Sequence, residues 1–566
     1  MSMPTEQASS KPYIRTVHTL RDMSQSVELL GMGADVMIRI LRLHQELGYD
    51  MEELGFAGAN PRFMQAFQYV RDHPEEFCNI GVAVFGCTRK PNKRVQEDGS
   101  ISAIAASGMS VVNLVAKAHA RQVETVLRTT PEENVRMLQD SVRHLLSLPH
   151  VREVNVDLEH FFDGMGADEE YALSMVAAAR DAGARDVVLC DTNGGGFPET
   201  IGAVVRKVKD IFPSVPLGIH AHNDGDLAVA NTLAAVDNGA THVQVTHDHF
   251  GERGGGNADA ESVIGNLARK KYGVLRPNGD LRRLTSIAAR VSQLLGKEIA
   301  RNKPFTGPNA PRHVAGMHSC AELREEGSYT FMDLAAVGNV SANSLPISDL
   351  AGTAARQNFV GRATTIDDQT RRILLERMEV LEELVDLDAL RGVVHSESEA
   401  SLLLAFLRKL ELIHPRFEVL GTSVNNTHKH GATATVTIRL NGDTKAEEVT
   451  ASGNGYYDAM NHAFREALGE RFPVVKKLHL LDFKTRKLPT SDEDSASTMQ
   501  VIIDFTDGEE VFSTSGVSDN VIDASEYALA DACHYLIMKD DLTPNPNPNP
   551  NPYPFGFRST ISRPTN

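Results

Sequence analysis

Eight short apolar runs, each followed by a stretch with helical spacing, fill the first half of this 566-residue chain. The runs lie at 13–22, 51–56, 79–86, 110–117, 152–160, 186–192, 217–223 and 242–248. The stretches between them, such as 34–47, 131–147 and 198–210, carry apolar residues on one helical face, and Thr130-Pro131-Glu132-Glu133 is typical of a helix start. Eight strand–helix units predict a (β/α)8 TIM barrel, an α/β fold whose chemistry sits where the strands end.

The composition is that of a globular protein, with 41% hydrophobic and 23% charged residues. No apolar run approaches the roughly 18 residues that a membrane span needs, and the N-terminus lacks a signal or transit pattern. The five cysteines form no CxxC pair, which argues against a disulfide framework and fits a reducing compartment. A net charge of −18 disfavours nucleic-acid binding. We therefore expect a soluble, cytoplasmic protein with no membrane or nucleic-acid partner.

Beyond the barrel the sequence changes character twice. Residues 281–412 read as helical linker subdomains, apolar on one face and charged on the other. Residues 413–540 contain an internal repeat of roughly 64 residues, each copy β-β-β-α, with Ser452-Gly453 matching Ser515-Gly516. This duplicated module has almost no histidine, which predicts a binding or dimerisation role. The full division is a disordered N-terminus at 1–12, a catalytic barrel at 13–280, the linker, the module, and a disordered Asn-Pro tail at 541–566.

The seventh strand carries His220 and His222, which point to one face because they are two residues apart on a strand. Asp22 follows the first strand, and Asn257 ends the glycine-rich loop after the eighth. Together these oxygen and nitrogen donors suit Mg, Mn, Co or Zn with positions left open for a substrate. The alternative is that each histidine only satisfies a neighbour at a strand end.

Other strand ends supply groups for an anionic substrate. Arg21 can polarise a ketone or enolate oxygen, and Glu53 can fix its guanidinium through a bidentate pair. Thr192 and Asn193, with the glycines that follow, supply a hydroxyl and backbone amides for a small carboxylate. The structural alternatives are a barrel-mouth salt bridge and a tight turn.

A basic patch stands out in this acidic chain. Arg89, Lys90, Lys93 and Arg94 can hold the phosphates of an acyl-CoA. The alternative is a solvated loop.

Several motifs together resemble the 2-isopropylmalate, homocitrate and citramalate synthase family over about residues 13–540. They are TLRDMSQ (19–25), DLEHFFDG (157–164), CDTNGG (190–195), HAHND (220–224), GERGGGNA (251–258) and GMHSCAEL (316–323), with the duplicated module. The EHFFDG and CDTNGG segments look most like the citramalate synthase branch.

The resemblance implies a Claisen-type condensation of acetyl-CoA with a 2-oxo acid, pyruvate in the citramalate branch, followed by thioester hydrolysis. It makes Asp22, His220, His222 and Asn257 the metal ligands, Arg21 the substrate arginine and Thr192 a substrate contact. Glu159 matches the family's acid/base glutamate, and His318 and Tyr329 match a pair from the linker. The proton-abstracting base stays open between His318 and a water held by Glu159.

The resemblance also implies that the module closes a homodimer and binds an amino-acid effector, isoleucine for a citramalate enzyme. The alternative is a dimerisation domain without an effector. Two departures from the family pattern, Met23 in place of a glycine and one extra glycine before Asn257, point to altered substrate choice.

Three other functions compete with a citramalate synthase. They are a sister synthase with a larger oxo acid, a metal-dependent hydroxyacyl-CoA lyase, and an amino-acid sensor on an inactive barrel, which a site blocked by Met23 would favour.

Overall fold

The computed structural model describes residues 11–339, 345–427, 431–489 and 497–542, which form two compact units. The first unit comprises Met1–Pro311 and Met332–Ser341, and the second comprises Arg312–Phe331 and Ala342–Asn566. Most of the two segments predicted to be disordered, 1–12 and 541–566, lies outside the described residues.

The first unit contains the predicted (β/α)8 barrel. Its eight strands pair in parallel in chain order, and the eighth pairs with the first to close the ring. The strands are β1 Arg15–Thr19, β2 Met51–Phe56, β3 Gly81–Cys87, β4 Val111–Lys117, β5 Glu153–Glu159, β6 Val187–Asp191, β7 Leu217–Ala221 and β8 Ala240–Val245. The prediction of the fold is confirmed, because all eight apolar runs form barrel strands.

One main helix follows each strand. The helices span Ala34–Leu47, Pro61–Asp72, Gly99–Ser107, Pro131–Leu146, Glu169–Ala182, Pro198–Ile211, Ala228–Asp237 and Ala260–Arg269. Five of these helices have an N-cap residue whose side chain accepts a hydrogen bond from a backbone N–H of the first turn. The N-cap residues are Asn60, Asp98, Thr130, Asp168 and Asp259. Such caps are worth about 1 kcal/mol each. Among the described residues, no helix combines the length and apolar composition that crossing a membrane requires.

An ionic cluster fills the amino-terminal end of the barrel. The guanidinium of Arg15 lies 2.7 Å from Asp186 Oδ2 and 2.5 Å from Glu153 Oε1, and His242 Nδ1 lies 2.9 Å from the same Asp186 oxygen. Burial raises the pKa of Asp186, but His242 and Arg15 outweigh burial and hold it below its ordinary value. Asp186 is therefore ionised and paired with both of these neighbours.

The helix Leu284–Leu294 also belongs to the first unit, where Leu284, Ile287 and Val291 join the barrel's hydrophobic core. The remaining linker helices lie in the second unit and span Gly316–Arg324, Thr353–Arg362, Asp368–Glu376, Met378–Leu390 and Glu399–Lys409.

The duplicated module forms two three-stranded antiparallel sheets, each followed by its own helix. The first copy consists of β9 Phe417–Thr427, β10 Gly431–Leu440, β11 Glu447–Gly453 and a helix at Tyr456–Gly469. The second consists of β12 His479–Lys487, β13 Met499–Thr506, β14 Val511–Ser518 and a helix at Val521–Leu542. The middle strand of each copy is central in its sheet, as expected for a repeated β-β-β-α unit.

Gly453 and Gly516, which match in the two copies, are required for the same physical reason. A Cβ on Gly453 would lie 2.3 Å from the backbone nitrogen of Ala459, and one on Gly516 would lie 2.1 Å from the carbonyl oxygen of Ala524. Each glycine therefore lets the helix approach the last strand of its own sheet.

Replacing Arg15 by Met should destabilise the barrel, because the buried Asp186 and the half-buried Glu153 would have less of their charge balanced. We expect the free energy of unfolding to fall by roughly 3 to 5 kcal/mol, measured as a shift of the barrel's transition in urea. Arg42→Met removes an exposed pair with Glu76 and should change stability little. Equal losses in both variants would contradict this reading of the cluster.

Candidate active site

Four predicted metal ligands meet at the carboxyl ends of the barrel strands. The Nε2 atom of His220 lies 3.4 Å from Nε2 of His222, 3.2 Å from the amide nitrogen of Asn257 and 3.8 Å from Oδ2 of Asp22. Asp22 sits in the helical turn Leu20–Met23 directly after β1, and a β-bridge joins His222 to Asn257. Residues from both ends of the barrel sequence thus face one point.

The donor set fits a divalent cation. Burial and the neighbouring His220 lower the pKa of His222 to about 3, so this imidazole is neutral and has a lone pair to give. Burial raises the pKa of Asp22, but its charged and hydrogen-bonding neighbours, Arg21 foremost, outweigh burial and keep the carboxylate ionised. The buried Oδ1 of Asn257 accepts no hydrogen bond from the described residues, and rotating the amide would turn that oxygen toward His220. Two imidazoles, a carboxylate and an amide oxygen suit Mg, Mn, Co or Zn.

Arg21 is held beside this cluster on three sides. Its Nε donates to Glu53 Oε1 over 2.8 Å, its Nη1 is hydrogen-bonded to Asp22, and its guanidinium carbon lies 3.9 Å from the centre of the Phe85 ring. The other Glu53 oxygen accepts a 2.6 Å hydrogen bond from Asn113. The predicted pairing of Arg21 with Glu53 is therefore present, but as a single hydrogen bond and not as the expected bidentate pair, because Asn113 occupies the second oxygen of Glu53 and Asp22 takes Nη1 of Arg21.

Gln244, on β8, orients the first histidine and was not predicted. Its Oε1 lies 2.7 Å from His220 Nδ1, and its Nε2 donates to both oxygens of Asp157 over 3.1 and 3.2 Å. An amide oxygen can only accept, so Nδ1 of His220 carries the proton and Nε2 keeps its lone pair. The signal in the sequence was a glutamine within an apolar strand. The structure shows that it is buried and in direct register with His220.

The predicted carboxylate-binding residues lie on the loop after β6. The hydroxyl oxygen of Thr192 accepts the backbone N–H of His160 over 2.7 Å, and the Thr192 carbonyl accepts from Arg253 over 3.0 Å. The side chain of Asn193 donates to Asp163 over 2.7 Å and is exposed. The threonine hydroxyl therefore keeps its own proton available to donate, whereas the amide of Asn193 is committed to a neighbour.

The predicted acid/base residues lie in two different units. Glu159, at the end of β5, forms a 2.6 Å ion pair with Lys117 at the end of β4. His318 and Tyr329 belong to the second unit, where their rings stack with centroids 4.1 Å apart. Within the first unit, Glu159 and Lys117 are thus one charged pair at the barrel mouth, and the sequence did not predict the lysine's part.

The geometry speaks against a CoA role for Arg89. Its guanidinium is buried and lies 2.8 Å from both Glu133 and Asp140, so its charge is balanced within the fold. Lys90 is exposed and stays a predicted contact for the phosphates. The sequence could not separate these neighbours, because both are simply basic residues after β3.

The two departures from the family pattern leave the cluster in place. Met23 is fully buried and belongs to the barrel's hydrophobic core. The hypothesis of an inactive barrel depended on Met23 blocking the site, and this position in the core does not support it. The longer glycine loop still brings Asn257 to His220, because Gly256 adopts a left-handed φ of 61° and its carbonyl accepts the N–H of Asn223 over 2.8 Å. The extra residue is therefore absorbed within the loop.

A second group with metal-ligand composition has another explanation. His18, His44 and Glu52 offer donor atoms within 4.8 Å of one another. However, Glu52 already accepts from His18 Nδ1 over 2.9 Å, from His44 Nδ1 over 2.5 Å and from the backbone of Leu20 over 3.0 Å. His18 Nε2 in turn accepts the N–H of His247. These partners account for the cluster as a hydrogen-bond network that anchors Leu20, next to Arg21.

Asp157→Asn should stabilise the metal-free protein at alkaline pH. Burial and the charge of Glu53 raise the pKa of Asp157 to about 8, above its ordinary value of about 4. Between these values the folded state binds a proton that the unfolded state has lost, so wild-type stability falls as the pH rises. The variant should melt several degrees above wild type at pH 8 and 9 in the presence of a chelator, with the difference vanishing near pH 4. A difference that is independent of pH would contradict this assignment.

Two family models match separate parts of the chain. The model described as HMGL-like matches residues 14–291, which contain the barrel. The model described as LeuA allosteric (dimerisation) domain matches residues 398–537, which contain the duplicated module. The two matches follow the change in architecture after the barrel.

Curated relatives cover almost the whole chain. An (R)-citramalate synthase of Aquifex aeolicus is 36% identical over 92% of this chain and 97% of its own length. That of Streptomyces coelicolor is 38% identical over 93% and 97%, whereas a 2-isopropylmalate synthase of Halothermothrix orenii is 26% identical over 80% and 84%. With this identity across both the barrel and the module, the chain belongs to the (R)-citramalate synthase family.

Proposed function

We propose that the protein joins acetyl-CoA to pyruvate to form citramalate and free CoA, with the chemistry at the cluster of Asp22, His220, His222 and Asn257. The observation that carries the proposal is this donor set beside Arg21 at the barrel mouth. The likeness to (R)-citramalate synthases over more than nine tenths of the chain supports the choice of reaction.

Arg21 uses its Nε and Nη1 atoms for Glu53 and Asp22, and its Nη2 atom is the one proposed to act on the substrate. A divalent cation held by the four residues would act as a Lewis acid toward the keto and carboxylate oxygens of the oxo acid. The guanidinium, already oriented by Glu53 and Phe85, balances the negative charge that develops on the keto oxygen as the new carbon–carbon bond forms. Because Arg21 is held before the substrate arrives, this stabilisation needs no reorganisation.

Thr192 and its loop receive the carboxylate of the oxo acid. The hydroxyl oxygen accepts the N–H of His160, which directs the hydroxyl proton away from that contact and toward a substrate oxygen. The proposed contacts of Asn193 are limited to its backbone, since its amide is bonded to Asp163.

The proton steps involve Glu159, His318 and Tyr329. A base takes a proton from the acetyl methyl group, the resulting carbanion adds to the ketone carbon, and the keto oxygen gains a proton. Water then cleaves the thioester and releases CoA as a thiol. Lys117 keeps Glu159 in place, so that this carboxylate can hold a water or accept a proton. The choice of base between His318 and a water on Glu159 stays open.

The duplicated module supports a regulated homodimer. The family model that matches it is described as both allosteric and for dimerisation. We propose an amino acid as the effector, isoleucine for a citramalate enzyme. The cytoplasmic location stays a prediction, as does the division of the chain at residues 12, 280, 412 and 540.

Free thiol release from acetyl-CoA should require both a metal and one 2-oxo acid. We expect kcat/KM to be higher for pyruvate than for 2-oxobutyrate, 2-oxoisovalerate and 2-oxoglutarate, because pyruvate is the oxo acid from which citramalate is formed. A chelator should abolish release, and Mn or Zn should restore it. Preference for a larger oxo acid would indicate a sister synthase, and release without metal would refute the mechanism.

His220→Ala should abolish turnover while leaving the barrel folded, since it removes the donor that contacts all three other ligands. His242→Ala is the matched control, because that histidine is also buried but lies in the ionic cluster at the opposite end of the barrel. Both variants should lose some thermal stability, and only His220→Ala should lose metal binding. Full activity in His220→Ala would overturn the site.

Isoleucine should lower the rate of thiol release by at least about fivefold at saturation, which is the usual lower range for coupling between sites. Leucine and valine at the same millimolar concentrations serve as controls for effector choice. A rate that none of the three changes would favour a module that only dimerises.

A further inference from the structure

The loop that carries Asn257 has an unusual backbone. Between Asp248 and Asp259 it contains four glycines, and three of its other residues, Asp248, His249 and Arg253, adopt left-handed φ values of 50°, 58° and 59°. Such conformations are costly for residues with a Cβ and persist only where the surroundings enforce them. A glycine-rich loop also has few side chains with which to hold itself. Something outside the loop must therefore fix its shape.

Lys303 lies where it can do this. Its Nζ is 2.9 Å from Oδ1 of Asp248, at the start of the loop, and 2.9 Å from Oδ1 of Asp259, at its end. The contact with Asp248 has hydrogen-bond geometry, whereas that with Asp259 is an ion contact. A third carboxylate, Glu261, accepts a hydrogen bond from the same nitrogen over 2.9 Å. One ammonium thus joins both ends of the loop.

The surroundings make this contact strong. The side chain of Lys303 is only 4% exposed, and those of Asp259 and Glu261 are 0% and 4% exposed. Burial alone would lower the pKa of Lys303, but the three carboxylates outweigh it and keep the ammonium charged. Glu261 is itself held by His247 Nδ1 over 2.5 Å, and His247 Nε2 lies 2.8 Å from the Ser292 hydroxyl. The anchor is therefore itself fixed to the strand end and to a neighbouring helix.

We propose that Lys303 is a positioning residue that ties the two ends of the glycine-rich loop together and thereby sets the Asn257 amide beside His220. Asn257 is two residues from Asp259, and its backbone N–H donates to the carbonyl of His249, one residue after Asp248. Movement of either end would therefore move the amide. The inference rests on the proposed metal site, because it assigns Lys303 a role in shaping that site.

Asp248→Asn tests the clamp at one end. Asparagine tolerates the left-handed backbone at this position and keeps the side-chain shape, while Lys303 stays paired with Asp259 and Glu261. We expect the affinity of the full-length, metal-free protein for Mn²⁺, measured by calorimetry, to fall about tenfold, as is usual for residues that orient metal ligands. The measurement uses the metal alone and needs no turnover.

Asp186→Asn is the matched control. It weakens a buried ion pair of similar length, with Arg15 and His242, at the other end of the same barrel. We expect this variant to lose thermal stability and to bind Mn²⁺ as the wild type does. Equal losses of affinity in the two variants would mean that general destabilisation explains the effect, and would overturn the role of Lys303.

A double-mutant cycle with Asn257→Ala identifies the route of the effect. If the clamp acts through the Asn257 amide, Asp248→Asn should cost no further affinity in the Asn257→Ala background. A full tenfold loss in that background would overturn the inference. Unchanged affinity in Asp248→Asn alone would also overturn it and leave the metal site standing. Failure of the wild-type protein to bind Mn²⁺ would instead overturn the metal site, and the inference with it.

Discussion

Closure of eight parallel strands into a ring is the constraint on which the active site depends. Asp22 and His220 come from opposite ends of the barrel sequence, yet their side chains lie 3.8 Å apart. The reason is that β8 pairs with both β1 and β7, so that only one strand separates the two proposed ligands. In an open sheet the first and seventh strands would lie far apart, and the four donors could not share a cation.

Charged and polar side chains line the barrel interior from one end to the other, and hydrogen bonds stabilise them there. Arg21 at the mouth contacts Glu53, which accepts from Asn113. Asn155 then bridges Asn113 and Glu153 over 2.9 and 3.0 Å, and Glu153 pairs with Arg15 at the opposite end. Because an unpaired charge in such an environment is expensive, each charged member of this network has its own partner. Contacts between side chains thus run without interruption from Arg21 at the mouth to Arg15 at the opposite end.

Buried side chains hold the strand ends and loops of the site in place. Gln244 orients His220 from inside the barrel, whereas Glu52 holds the backbone of Leu20 from between the strands and the helices. Lys303 contacts both ends of the glycine-rich loop. These three residues are at most 5% exposed, so none is placed to meet a substrate. Their common effect is to fix other side chains that face the proposed site. A ligand that can move away from a metal contributes less to its binding.

The sequence by itself determined the order and type of the barrel elements, the shared direction of His220 and His222, and the matched glycines of the duplicated module. These features depend on local periodicity, on helix caps such as Thr130, and on motifs that can be compared with a known family. Only the tertiary structure decided that Arg89 is consumed by Glu133 and Asp140, that Gln244 faces His220, that Met23 enters the core, and that Lys303 reaches the loop. Each of these contacts joins residues far apart in the chain, and their meeting depends on strand register and side-chain direction, which spacing along the sequence does not specify.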